Sequence, residues 1–134
     1  MATRTFTPAE ANALLERVRP LVERLVEERA TALATRVRRA ELSAKVGGNG
    51  GGIDPHGVAR IAAAADEAAA GVRAAVEELH ALGVEVKDLD AGLVDFPALR
   101  DGERVYLCWQ LGEDEVAWWH GLEEGFAGRR PLPL

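Results

Sequence analysis

Residues 93–111 read LVDFPALRDGERVYLCWQL, and this stretch decides the fold. Asp101-Gly102 at its centre is a strong short-range hairpin signal, because a two-residue type I′ turn needs residues that tolerate positive φ. Apolar residues alternate on both sides of it, with Val94, Phe96 and Ala98 before and Val105, Leu107 and Trp109 after. A two-residue turn pairs Arg100 with Glu103. Counting outward, Ala98 faces Val105, Phe96 faces Leu107, Asp95 faces Cys108 and Val94 faces Trp109. The apolar partners then share one face, as a half-buried antiparallel pair requires. Asp95, Tyr106 and Cys108 share the other. Pro97 is read as the end of the first strand.

Downstream, a turn at residues 112–114 precedes Val116-Ala117-Trp118-Trp119-His120, a further short strand. If Leu111 pairs with Val116, then Trp109 faces Trp118 and Cys108 faces Trp119. His120 then lies with Val116 and Trp118, on the face away from Cys108. Upstream, Val84-Glu85-Val86-Lys87 alternates with the same period of two. The expected β unit therefore spans 84–120, with three or four short antiparallel strands. Residues 121–134 read as an irregular tail.

Before residue 84 the period is helical. Thr7-Pro8-Ala9-Glu10 combines an N-cap, a proline at the first helical position and the glutamate of a capping box. Leu15, Val18, Val22 and Leu25, then Leu33, Val37 and Ala40, form one face up to about Lys45. Pro20 removes one backbone donor within this run and predicts a kink. A glycine-rich loop over 46–53 follows. Asp54-Pro55 restarts a helix whose apolar face includes Ala68, Val72, Val76 and Leu79, and Gly83 is its C-cap. Two helices joined by a short loop pack antiparallel. The chain 1–134 therefore reads as one α+β domain: a long antiparallel helical hairpin over 7–82, kinked near Pro20, plus a small antiparallel sheet. The first helix is the longer one, so its opening turns, with Leu14 and Leu15, are expected to pack on the β unit.

The net charge of −6 argues against a nucleic-acid partner and against an anionic membrane surface. A single cysteine, Cys108, excludes an intramolecular disulfide. The N-terminus carries no apolar signal-peptide core, and no run approaches a membrane span, so a cytoplasmic protein is expected.

Several strings stand out together: Asn49-Gly50-Gly51-Gly52, residues 87–97 reading KDLDAGLVDFP, Cys108-Trp109, Gly112-Glu113, Trp119-His120 and Gly125-Phe126-Ala127-Gly128-Arg129. In these the chain resembles an uncharacterised prokaryotic family catalogued as domain of unknown function 2203. The resemblance covers essentially the whole chain and implies no activity.

Four groups of residues carry possible chemistry. Asp88, Asp90 and Asp95, with His120, Glu123 and Glu124, have the donor types of a divalent-metal site. The blander reading is that the aspartates cap turns. A Cys108–His120 nucleophile and base needs hydrogen-bond contact, which the register above denies. The glycine loop lacks a preceding strand and a Gly-Lys-Ser/Thr sequence, so it reads as a flexible connection and not as a phosphate cradle. Tyr106 and Trp119, on the polar face of the sheet, with Arg129 and Arg130 as anion clamps, form a candidate ligand site.

The leading reading is a non-enzymatic binding or self-assembly module, expected to be a homodimer because a two-helix hairpin leaves its flanks uncovered. The alternative is a metal-binding protein or metal-dependent enzyme using Asp88, Asp90, Asp95 and His120. A divalent metal ion is the one cofactor the residues suggest. Residues 125–131 are expected to fold back over the sheet, with Arg129 or Arg130 reaching one of the three aspartates.

Overall fold

The computed structural model describes residues 4–49 and 55–134, with the backbone alone for 45–49. The first helix, α1 (Pro8–Asn49), starts as the sequence indicates. The Thr7 amide donates to Glu10 Oε1 at 2.9 Å, and the Glu10 amide donates to Thr7 Oγ1 at 3.1 Å, a reciprocal capping box. These bonds hold the Glu10 carboxyl below its ordinary pKa. The helix continues through Pro20 without a break. Pro20 is exposed, so water can reach the carbonyl it leaves without a donor. α1 also runs to Asn49, beyond the expected end near Lys45. The rest of the glycine-rich connection and the Asp54 cap lie outside the described residues.

The second helix, α2 (Pro55–Ala81), ends in a Schellman motif. Gly83 has φ 92°, its amide donates to the His80 carbonyl at 2.9 Å, and the Val84 amide donates to Leu79 at 2.9 Å. α2 buries Ala68, Gly71, Ala75 and Leu79, so its seam is lined with small residues that let the backbones approach closely. A Cβ on Gly71 would lie 2.9 Å from the Glu28 side chain. Val72, expected on this seam, is half-buried on its flank.

Five strands form an antiparallel meander: β1 (Glu85–Asp88), β2 (Leu93–Arg100), β3 (Glu103–Gln110), β4 (Trp118–Gly121) and β5 (Arg130–Pro131). The fifth, two residues long, comes from the tail that the sequence left irregular. Asp101 and Gly102 both have positive φ, and the β2–β3 register is the one expected, with Asp95 opposite Cys108. β2 does not stop at Pro97. β1 ends its pairing opposite Asp95, so no neighbouring strand needs the amide that proline lacks. The Pro97 carbonyl on that edge accepts instead from the Phe6 amide at 2.7 Å.

The β3–β4 register departs from expectation by one residue. Leu107 faces Trp119, and Tyr106 faces His120. The cause is Val116, which is not a strand residue. Its amide donates to Asn12 Oδ1 at 2.7 Å, and its carbonyl accepts from Asn12 Nδ2 at 3.2 Å, which pins it to α1. β4 therefore starts at Trp118. A one-residue slip exchanges the two faces of a strand, so Trp119 enters the core while His120 joins Asp95 and Cys108.

The inner face of the sheet packs on the sheet-proximal half of the hairpin. Phe96, Leu107 and Trp109 meet Leu15, Val18 and Leu25 in one core cluster. Leu14 packs partly buried against it, so the first turns of α1 dock on the sheet as expected. No helix of the described residues is long and apolar enough to cross a membrane.

Candidate metal centre

The outer face of the sheet carries the unusual chemistry. Asp95 on β2, Cys108 on β3 and His120 on β4 come together near the middle of three adjacent strands. One ligand-type atom of each lies within 4.8 Å of the other two, and all three residues are buried. His120 Nε2 is 3.0 Å from both oxygens of the Asp95 carboxylate. His120 Nδ1 is 2.7 Å from the Gly121 carbonyl. A carbonyl only accepts, so Nδ1 carries a proton. The Nε2–Asp95 contact then holds one further proton between imidazole and carboxylate. Burial pushes the Asp95 carboxyl up, and the charge and hydrogen bond of His120 pull it back. Burial, reinforced by the Asp95 charge, drives the Cys108 pKa up to about 12.

A cavity of about 280 Å³ opens above the pair. Asp95 and His120 are on its lining with Lys87, Tyr106, Leu122 and Phe126. Tyr106 donates its hydroxyl to Glu85 Oε1 at 3.1 Å, and the Lys87 ammonium lies 4.6 Å from the Tyr106 ring centre.

The remaining acidic residues disperse. Asp88 accepts from the amides of Asp90 and Ala91 at 2.8 and 3.0 Å, which holds its carboxyl below the ordinary value. Asp90 pairs with Arg29 at 3.2 Å. Glu123 is exposed at the cavity rim, and Glu124 pairs with Arg130 at 2.9 Å. Of the residues expected to ligate a metal, only Asp95 and His120 meet. Cys108, which the sequence suggests only as a nucleophile held away from His120, is the third residue of the group because β4 is shifted by one residue.

The tail does fold back, through a 3-10 turn (Phe126–Gly128) and β5, but its arginines reach glutamates. Arg129 donates to both oxygens of Glu113 at 2.7 and 2.9 Å, and its guanidinium stacks between Trp118 and Phe126. None of the three aspartates is its partner, because Glu113, on the turn after β3, lies closer. Trp119 is buried beneath the guanidiniums of Arg100 and Arg130, each 4.8 Å from its ring centre. Trp119 and Arg130 line a second cavity of about 520 Å³. Tyr106, Trp119, Arg129 and Arg130 thus do not surround one cavity.

A family model described as "Uncharacterized conserved protein (DUF2203)" matches residues 4–132. The chain belongs to the DUF2203 family. No curated protein and no solved structure matches it. Asp95, Cys108 and His120 of this DUF2203 chain each come from a string that carries the resemblance: Asp95-Phe96-Pro97, Cys108-Trp109 and Trp119-His120.

Proposed function

We propose that this protein is a metal-binding module whose centre is Asp95, Cys108 and His120. The observation that carries the reading is the convergence of three different buried donors within 4.8 Å. Nitrogen, oxygen and thiolate sulfur together suit a borderline cation of the zinc type. The Nδ1–H bond to Gly121 is the outer-shell contact that orients a ligating imidazole. Ligand atoms on a tetrahedral zinc are about 3.3–3.8 Å apart, so loading draws in the widest separation of the trio by about 1 Å. Binding releases the thiol proton and the proton shared by Asp95 and His120. One divalent cation then balances a thiolate and a carboxylate, and no net charge is buried.

Nucleophilic catalysis by the side chains alone fits less well. Both ring nitrogens of His120 are engaged, and a thiol with a pKa of about 12 is not ionised at neutral pH. The reading also fits the cytoplasm, where a lone thiol stays reduced.

Protein purified without chelators should contain one zinc-type ion per chain by elemental analysis, and Cys108→Ser should lose most of it. A folded wild-type protein that stays metal-free after zinc addition would refute the reading.

Self-association through the distal hairpin is a second reading, favoured by a separate observation. Among the described residues, the fully buried residues of α1 end at Leu25 and those of α2 begin at Ala68. Beyond them Val37 is 58% exposed. Two hairpins packed as a four-helix bundle would cover this stretch. A dimer mass in sedimentation, reverting to monomer in Val37→Asp, is expected. A concentration-independent monomer would remove this reading and leave the metal centre untouched.

A further inference from the structure

Resting on the metal-centre reading, we propose that the cavity above Asp95 and His120 takes a short-chain monocarboxylate. Its carboxylate occupies the open coordination position, and its alkyl chain lies against Leu122 and Phe126. Three protein ligands leave a tetrahedral cation one position. Asp95 and His120 line the cavity and Cys108 does not, so that position faces the cavity and not the strand beneath.

The size, walls and charge of the cavity each narrow the ligand. A volume of about 280 Å³ is at the small end for a ligand site and suits a molecule of a few heavy atoms. Leu122 and Phe126 are 53% and 48% exposed, and both stand on this lining. Together they give the cavity an apolar wall beside its polar floor. Lys87 is the one lysine or arginine on the lining. Its ammonium pairs with Glu85 at 3.1 Å and, with three N–H donors, has others to offer a ligand carboxylate. Glu124 is already neutralised by Arg130, whereas Glu123 adds a negative charge at the rim. With Glu85 already on the Lys87 ammonium and Glu123 at the rim, a second negative charge on the ligand would meet repulsion, which favours a monoanion over a dianion. The ligand therefore has a single anionic head and a short apolar chain.

The test uses the full chain loaded with cobalt(II), whose visible bands report changes in its ligands. Cobalt content is measured first, and acetate, butyrate and butylamine are then titrated. Butyrate should shift the bands and bind on the order of tenfold more tightly than acetate, as expected when two methylene groups leave water. Butylamine should have no effect. Phe126→Ser, or Leu122→Ser if that variant folds poorly, should keep its cobalt and lose the preference for butyrate. Lys87→Gln should keep its cobalt and bind both carboxylates several-fold more weakly. Bound cobalt with bands that ignore carboxylates would overturn the proposal. So would equal affinity for acetate and butyrate in wild type and both wall variants, which means an adventitious ion only. Failure to take up cobalt would instead sink the metal centre itself, and the initial content measurement separates that outcome from the other two.

Discussion

Leu25→Asp should unfold the protein or cost at least about 4 kcal/mol, because an unpaired carboxylate would replace a fully buried leucine. Among the described residues Leu25 is the last fully buried position of α1, and it belongs to the core cluster that joins the hairpin to the sheet. Val72→Asp is the informative companion. Helical periodicity alone puts Val72 on the same packing face, but the structure leaves it half-buried on the flank of the seam. Its aspartate can turn toward water, and the cost should be about 1–2 kcal/mol. Denaturant melts of both variants decide the matter. Equal losses would mean that Val72, and not the row Ala68, Gly71 and Ala75, lies on the seam.

The second large effect is at the buried pair. In metal-free protein, Asp95→Ala leaves His120 buried opposite nothing and should cost about 3–5 kcal/mol. His120→Ala should cost a similar amount, because it strands the carboxylate. Replacing both with apolar residues of similar size should cost well under the sum, with a coupling of about 2 kcal/mol or more. Additive losses would mean that the two side chains do not share a proton or a charge. The apolar double variant has a further use: it should fold and yet bind no metal, which separates the structural role of the pair from its role as ligands.

Much of this architecture was legible in the residues. Thr7 and Glu10 announce the start of α1, Gly83 announces the end of α2, and Asp101-Gly102 sets the β2–β3 register. Each signal is local, acting within a few residues of the backbone group it satisfies. The β3–β4 register was not legible, because it is set from a distance. Asn12 on α1 holds both backbone groups of Val116, and this keeps Val116 out of the strand. That single displacement turns His120 toward Cys108 and Asp95. Read with Val116 as a strand residue, the same sequence puts the imidazole on the opposite face and hides the trio. The tail shows the same division. Its return to the sheet was readable, but the partner of Arg129 was not, because Glu113 reaches the guanidinium only once the turn after β3 is built.

The most direct measurement on the metal centre is X-ray absorption at the zinc edge of the zinc-loaded full chain. The expected spectrum has one sulfur at about 2.3 Å and nitrogen or oxygen neighbours at about 2.0–2.2 Å. In Cys108→Ser the sulfur shell should disappear. Zinc surrounded by oxygen and nitrogen alone in the wild-type protein would contradict a centre built on Asp95, Cys108 and His120.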